Sequence, residues 1–530
     1  MSDIITVIGS MHAKGITLWS AGGRVCYRSA AGKIAAEDLE TLRTRKAEIL
    51  DFLHSSPATS ATGPRIVPRM PAEPIPLTFP QQSRWKALRQ FGQKPNTRVC
   101  ANASRLSGDL NIDCLKAAFA GLVKQHEILR ARIVPGENGI TQVIADDRNL
   151  DLEIVRVDAT GAMDRQSDAQ RLVEEIVNQP CDITADALFV ARLVRIDKGD
   201  HVLVVALDHI IADAVSVGIV LRDVWTLYLQ ATRGIPLSSP KIPLQFSDYA
   251  VWEQKTNAAW LIEHGGYWRE RLAGAVRTRI FPGGTPAPGL RLKTGKASVR
   301  LSKELTEGLH SLGQREHTTL VMTVLAAYVA LLSRWTETTD ITIVFSSSGR
   351  HRPELNDTIG FFAFCLYLRL QVLSGDSFRD LLRRVTREYY TALQHQDFGR
   401  NGLAWPEAEY TRTVGFNWHG RMHTDVHAAQ DICGSATPMQ GDAILLSPFP
   451  FEKAVLDVER DDDWNNYVDN MECEPWVNFS ESIHGISGWI SYRVDSIPAH
   501  TMEKFIRSFR LIAQAGWQDP QMRVADLPCE

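Results

Sequence analysis

None of the cysteines has metal-ligand or redox spacing. The eight, at positions 26, 100, 114, 181, 365, 433, 473 and 529, include no C-x-x-C and no zinc-like cluster. A structural metal site or a thioredoxin-like centre is therefore not expected, and reduced thiols fit a cytoplasmic protein. Charge of one sign is also missing: 58 Lys plus Arg stand against 62 Asp plus Glu, a net charge of −4. That balance offers no general attraction to a nucleic-acid backbone or an anionic membrane, so neither is an expected partner. The start, MSDIITVIGS, lacks the basic residues of a signal peptide, and no apolar run approaches the ~20 residues of a membrane span. What is present is 530 residues with 44% hydrophobic content, enough for several globular cores.

Six prolines among Ser, Thr and Ala mark Ser55 to Pro76 as a flexible, extended linker. Before it, GITLW and RVCYR flank the turn residues SAGG, the pattern of a hairpin. AAEDLETLRTRKAEILDFL then predicts one helix over 35–53. Lys14, Arg24, Arg28 and Lys33 fall in a stretch without any acidic residue. This is either a solvated face or a docking surface for an acidic peptide. After the linker, strands and helices alternate, and the pattern restarts near Thr318. Two α+β lobes sharing a cleft are expected.

One stretch carries chemistry. In VLVVALDHIIADAVSVGIVL, Val202 to Leu221, a buried strand delivers Asp208 and His209 to a strand-to-helix junction, with Asp213 four residues after the histidine. Junction loops line clefts, and an imidazole with an ordinary pKa near ~6.5 serves as a general base at neutral pH. The structural alternatives are a core histidine and a helix N-cap for Asp213. A second His-x-x-x-Asp, His427 to Asp431, follows no strand and is set aside.

Several further stretches occur in order with this motif: PLTFPQQSRW (76–85), QHEILRARI (125–133), FSDYAVWEQ (246–254), GYWRERLAG (266–274), GRHRPELNDTIGFF (349–362), QHQDF (394–398) and VGFNW (414–418). Together they resemble the condensation domains of nonribosomal peptide synthetases, within the HxxxD acyltransferase superfamily. The N-terminal unit resembles the β-hairpin docking domains of the tubulysin-synthase type. The resemblance extends to stand-alone chain-releasing condensation enzymes such as that of the enacyloxin polyketide system.

The resemblance implies two chloramphenicol-acetyltransferase-like lobes in a V-shaped pseudodimer around a tunnel, behind a small docking domain. The expected boundaries are docking 1–54, linker 55–75, N-terminal lobe 76–270 and C-terminal lobe 271–530. It further implies His209 and Asp213 as catalytic residues, with Asp208, Arg350, Arg130 and Asn417 in support. Asp213 is expected to pair with an arginine, Arg350 first and Arg130 second. Trp19, Arg24, Tyr27, Arg28 and Lys33 are expected to hold the acidic C-terminal tail of an upstream acyl or peptidyl carrier protein. The phosphopantetheine arm comes on that partner, and no cofactor is bound by the chain itself.

The family pattern HHxxxDG reads DHIIADA here, with Asp208 for the first histidine and Ala214 for the glycine. DHIIADAVS also fits the heterocyclisation pattern DxxxxDxxS through Asp208, Asp213 and Ser216. Strand alternation sends neighbouring side chains to opposite faces, which favours His209 as the functional residue and Asp208 as a packing or supporting substitution. No adenylation or carrier segment follows before Glu530, so the acceptor is expected to be a free small molecule and the product an ester. Amide formation, a plant-type coenzyme A acyltransferase (DFGR, 397–400, faintly resembles its DFGWG) and a degenerate recruitment domain are the alternatives.

Overall fold

The computed structural model describes residues 4–14, 16–21, 24–29, 34–55, 65–71, 73–90, 96–97, 100–136, 139–145, 152–157, 161–237, 242–276, 278–280, 294–350, 352–396, 414–419, 444–449, 475–482, 484–494 and 497–530. The first unit comprises α1 (Ile4–Ala13), β1 (Ile16–Ala21), β2 (Arg24–Ser29), α2 (Ala36–Thr44) and α3 (Lys46–Ser55). β1 and β2 pair antiparallel from Ile16↔Ser29 to Ala21↔Arg24, as the turn chemistry predicts. The single helix expected over 35–53 is instead two. It breaks at Arg45 (φ −103°, ψ 18°), and Leu42 before the break and Ile49 after it both enter the core of the unit.

The N-terminal lobe contains β3 (Ile75–Pro76), α4 (Phe79–Gln90), β4 (Asn96–Thr97), β5 (Cys100–Ser107), α5 (Ile112–Gln125), β6 (Ala131–Gly136), β7 (Gly139–Ile144) and β8 (Glu153–Arg156). It continues with α6 (Ala162–Val177), β9 (Pro180–Cys181), β10 (Phe189–Asp197), β11 (Asp200–Leu207), α7 (Ala214–Thr232) and α8 (Phe246–Leu272). β11 lies inside a five-stranded sheet between β5 and β10. Its Leu203, Val205 and Leu207 pack toward α5 and α7, while Val202 and Val204 pack toward α6. Burial on both faces explains why the strand reads as an unbroken apolar run.

The C-terminal lobe comprises β12 (Thr294–Leu301), α9 (Lys303–Arg315), α10 (Leu320–Thr336), β13 (Asp340–Ser347), β14 (Phe364–Gln371) and α11 (Phe378–Gln394). β15 (Gly415–His419), β16 (Leu445–Pro448), β17 (Trp476–Ser482), β18 (Gly485–Arg493) and α12 (Ala499–Gln518) follow among the described residues. Six strands form one sheet in the order β12-β18-β17-β15-β13-β14, and its core face packs against the four helices. β16 leaves this lobe and pairs antiparallel with β5, Leu445↔Ser107 to Pro448↔Ser104. A boundary at residue 270 therefore divides the sequence but not the space, because the second lobe supplies an edge strand to the first.

The linker is only partly as expected. Ile66 is buried in the N-terminal lobe core, the Arg69 backbone N–H donates to Asp248 Oδ1 (2.8 Å), and Arg69 Nε donates to Ser247 Oγ (3.1 Å). From Ile66 onward the chain is pinned to α8, whereas residues 56–64 lie outside the described residues. The docking unit is seated as well. Val7, Ile8, Met11, Ile16, Leu18, Leu42 and Ile49 share one core with Tyr390 of α11, with Tyr389 and Leu393 packed against it. A Cβ on Gly9 would stand 2.5 Å from the His317 carbonyl oxygen, a distance no side chain tolerates, so glycine allows α1 to approach this closely. We expect Gly9→Val to unseat α1 and to increase proteolysis between the unit and the body; limited proteolysis of the full chain checks this.

Candidate functional site

β11 ends at Leu207, and residues 208–213 turn into α7. Asp208 is fully buried and pairs twice with Arg84 of α4: Nε donates to Oδ1 (2.9 Å) and the guanidinium to Oδ2 (3.1 Å). It also accepts from the Ile210 N–H at 2.8 Å, while Gln81 Nε2 donates to the Ile210 carbonyl at 2.8 Å. The sequence reading of Asp208 is thus corrected in one respect. The strand stops before it, so pleat alternation does not separate it from His209; the bidentate bond to Arg84 does. It is a buried carboxylate that braces the loop, not a packing filler. Arg84 lies within PLTFPQQSRW, but nothing in its spacing names its partner.

His209 Nδ1 lies 2.7 Å from the Ala212 carbonyl. A carbonyl only accepts, so Nδ1 carries the proton and Nε2 carries the lone pair. One face of the ring lies against Phe361, with centroids 4.3 Å apart. Cys100 Sγ is 3.5 Å from the same Ala212 oxygen. Burial pushes the imidazole pKa down, and Arg84 adds to that; Cys100, as a thiolate, would outweigh both and push it up to about 9. Beside a carbonyl that accepts from it, however, Cys100 is a thiol, and a neutral thiol does not hold an imidazolium. Asp213, the remaining group that raises the pKa, has its charge engaged by Arg350. The neutral imidazole is therefore the working form. We expect activity to rise with pH through an acid limb well below the thiolate-supported value, and Cys100→Ala to leave that limb in place. A limb near the thiolate-supported value that falls in Cys100→Ala would reverse the assignment.

Asp213 performs two roles that the sequence leaves as alternatives. Its Oδ1 caps α7 by accepting from the Ser216 N–H at 2.9 Å. Its Oδ2 accepts from Arg350 at 2.5 Å and from the Phe362 N–H at 3.1 Å. Burial alone would raise the carboxyl pKa, but Arg350 and these hydrogen bonds hold it below the ordinary carboxylate range. Arg350, in the segment that follows β13, also donates to Ser216 Oγ (3.0 Å) and the Thr358 carbonyl (3.1 Å), and its guanidinium lies 4.4 Å over the Phe362 ring. Ser216 Oγ in turn accepts from the Gly360 N–H at 3.0 Å. The two lobes are thus locked together at the turn that carries His209.

Arg130, the second candidate partner for Asp213, is elsewhere: it donates to the Val123 and Ala145 carbonyls and ties α5 to β7. Asn417 stands on β15 beside His419 and Asn478, away from the Asp213–Arg350 pair. On the hairpin, the register sets positions 19, 24 and 28 on one face and Leu18 and Tyr27 on the other. Tyr27, which is exposed, therefore stands at a register position opposite to positions 19, 24 and 28. Lys14 is neutralised by an ion pair with Asp38. Lys33, His427, Asp431 and the DFGR stretch lie outside the described residues. Among the described residues, no group of three or more His, Cys, Asp or Glu is placed to hold a metal, and no single helix is long and apolar enough to cross a membrane.

The model of the condensation domain matches residues 72–407. The chain belongs to the condensation-domain family. Residues 4–55 of this condensation-domain protein match the model of the TubC N-terminal docking domain. Chondramide synthase of Chondromyces crocatus is 31% identical over 471 residues, 88% of the chain but 11% of that relative. The chain spans a third or less of the length of the first curated relatives it matches. Solved structures share its fold. The X-domain from teicoplanin biosynthesis has a TM-score of 0.70 at 24% identity, covering 88% of this chain and all of that one. A structure concerned with condensation domain-mediated chain release from the enacyloxin polyketide synthase has a TM-score of 0.64 at 17% identity, covering 100% and 98%. Condensation domains are acyl-transferring enzymes of nonribosomal peptide synthesis.

Proposed function

We propose that this condensation-domain protein acts in trans in the cytoplasm, transferring an acyl chain from a carrier-protein phosphopantetheine thioester to a free small-molecule acceptor and releasing an ester. The observation that carries this reading is the His209 imidazole, fixed at Nδ1 by Ala212 with its Nε2 lone pair available at the junction of the lobes. The acceptor hydroxyl attacks the thioester carbonyl as Nε2 takes its proton; the C–S bond then breaks and the leaving thiolate takes the proton back. Asp213 and Arg350 do not touch the reacting atoms in this scheme. They hold the turn on which His209 sits. Asp208 is occupied by Arg84, and Ser216 by Arg350 and Gly360, which supports the base reading over the heterocyclisation pattern.

The docking unit supplies the other half of the reading. Arg24, Arg28 and Lys33 would recognise an acidic tail on the carrier-bearing protein, and main-chain pairing at the hairpin edge would add affinity. The chain needs no resident cofactor, because the phosphopantetheine arrives with the carrier. The test is to offer the full chain an acylated carrier protein that retains its C-terminal tail, together with free alcohols and amines, and to identify the product by mass spectrometry. An ester is expected. Amide formation alone would overturn the ester assignment, and no transfer from any acyl carrier would overturn the enzymatic reading.

A further inference from the structure

Among the described residues, His209 has no carboxylate on its Nδ1: that proton goes to the neutral Ala212 carbonyl at 2.7 Å. The ionisable groups around the ring are Arg84 from α4, Cys100 from β5, Asp208 and Asp213 from the turn itself, and Arg350 from the segment after β13. Both carboxylates are matched by guanidinium groups, Asp208 by Arg84 and Asp213 by Arg350. As Nε2 takes the proton of an attacking acceptor, the ring gains a positive charge, which it loses again when the leaving thiolate is protonated. Burial and Arg84 both disfavour that charged ring, and Cys100 as a thiol does not offset them. A contact that is stronger with the charged ring than with the neutral one lowers the barrier, because only such differences accelerate a reaction.

Phe361 makes a contact of that kind. Its ring centroid is 4.3 Å from that of the imidazole, with the planes inclined by 40°. An aromatic face is negative, and it attracts a cation within about 6 Å of the centroid, more strongly where water is excluded. With the neutral imidazole the same ring offers packing alone.

The second lobe holds Phe361 there through its neighbours. Thr358 Oγ1 donates to the Leu244 carbonyl at 3.0 Å, the Gly360 N–H donates to Ser216 Oγ at 3.0 Å, and the Phe362 N–H donates to Asp213 Oδ2 at 3.1 Å. A Cβ on Gly360 would stand 1.9 Å from the Phe246 ring, so glycine lets the segment lie on the start of α8. Ile359 and Phe362 enter the core of the first lobe, and Phe361 packs against that core. The Phe362 ring meets Phe246 edge-on at 5.0 Å and lies beneath the Arg350 guanidinium. Residues on both sides of Phe361 are therefore anchored, and its ring is held against one imidazole orientation.

We propose that Phe361 is a positioning residue for His209, fixing the plane of the imidazole and stabilising the imidazolium that forms during acyl transfer. The catalytic half of this rests on the base reading above. The ring contact replaces the carboxylate that commonly supports a histidine base, and it does so without adding a second charge to the buried site.

The test titrates His209 in the full chain. With isotope-labelled histidine, the His209 resonance is assigned by its loss in His209→Ala, and its pKa is read from the movement of that resonance with pH. Phe361→Leu, which keeps an apolar side chain but removes the ring, is expected to lower that pKa by about 0.4–1.5 pH units, whereas Phe361→Tyr should leave it in place. Kinetics use a butyryl-loaded carrier protein with the acceptor, alcohol or amine, that gives product in the screen above. In Phe361→Leu, kcat should fall by about two- to thirtyfold, KM for carrier and acceptor should stay, and the acid limb of kcat/KM should move down with the His209 pKa. Phe361→Tyr should retain wild-type kcat. An unchanged His209 pKa in Phe361→Leu, equal losses in both variants, or a fall in kcat without movement of the limb would overturn the proposal and leave the contact as packing. If no acceptor gives product, the release reading falls by itself, and the titration still decides whether Phe361 stabilises the charged ring.

Discussion

Alanine in place of His209 is expected to slow acyl transfer by about 10²–10⁴-fold, the usual contribution of a general base. Its imidazole is tied to the fold mainly through one bond to Ala212 and one ring contact with Phe361. Loss of both leaves the Asp213–Arg350 and Asp208–Arg84 pairs in place, so the melting temperature and carrier docking should be nearly unchanged. Activity and melt measured on one preparation separate the two effects. Transfer within about threefold of wild type would remove His209 from the base role. Rescue of the slow variant by added imidazole would strengthen that role, since a free base can occupy the vacated volume.

The second large effect concerns stability. Removing the Asp213 carboxylate leaves the Arg350 guanidinium buried without its counter-charge, and Asp213→Ala is expected to cost about 3–5 kcal/mol. The sequence reading, in which Asp208 is a packing or supporting substitution, predicts an Asp208→Ala far milder than Asp213→Ala. The structure predicts otherwise: Arg84 is almost as deeply buried as Arg350, so Asp208→Ala belongs in the same severe class. Denaturant melts decide the matter, and a mild Asp208→Ala would show that Arg84 finds another partner or water. The pH dependence carries its own sign. A carboxylate whose folded pKa is depressed stabilises above the ordinary carboxylate range and loses that contribution as pH falls through the folded value. Wild-type stability should therefore fall on acidification below about pH 4 more steeply than that of Asp213→Asn.

Much of the architecture could be read before any coordinates, and the reasons are local. β11 is apolar on both faces because helices cover it on both sides, and the hairpin announces itself through SAGG. Arg350 as the first candidate partner of Asp213 came with the resemblance to the condensation domains, and the structure pairs the two. Spacing alone does not carry partners brought together from distant parts of the chain: Arg84 with Asp208, Phe361 with His209, β16 with β5. Arg130 shows the converse, since a conspicuous arginine in QHEILRARI satisfies two backbone carbonyls instead. The break at Arg45 was hidden because both half-helices keep helical spacing, and only the shared core of Leu42 and Ile49 requires the bend. The hairpin faces, by contrast, follow from period-two alternation once the Ile16↔Ser29 register is known.

The core of the docking unit is closed by Tyr390, a residue more than 300 positions away that belongs to the body. A module completed by its host is not a portable cassette. Grafting residues 1–55 onto another condensation enzyme would leave the underside of α1 facing whatever surface replaces α9 and α11, and grafting a foreign docking unit onto this body would leave Tyr389, Tyr390 and Leu393 uncovered. Chimeras that re-route carrier traffic would need to move the α1 seat with the hairpin, or to rebuild it with the small residue that Gly9 supplies opposite His317. If the hairpin captures a carrier tail as proposed, the same seat would fix the direction in which that tail leaves it. Partner choice would then depend on the angle of delivery as well as on the charge of the tail, and two carriers whose tails end in the same residues but differ in length would be served unequally.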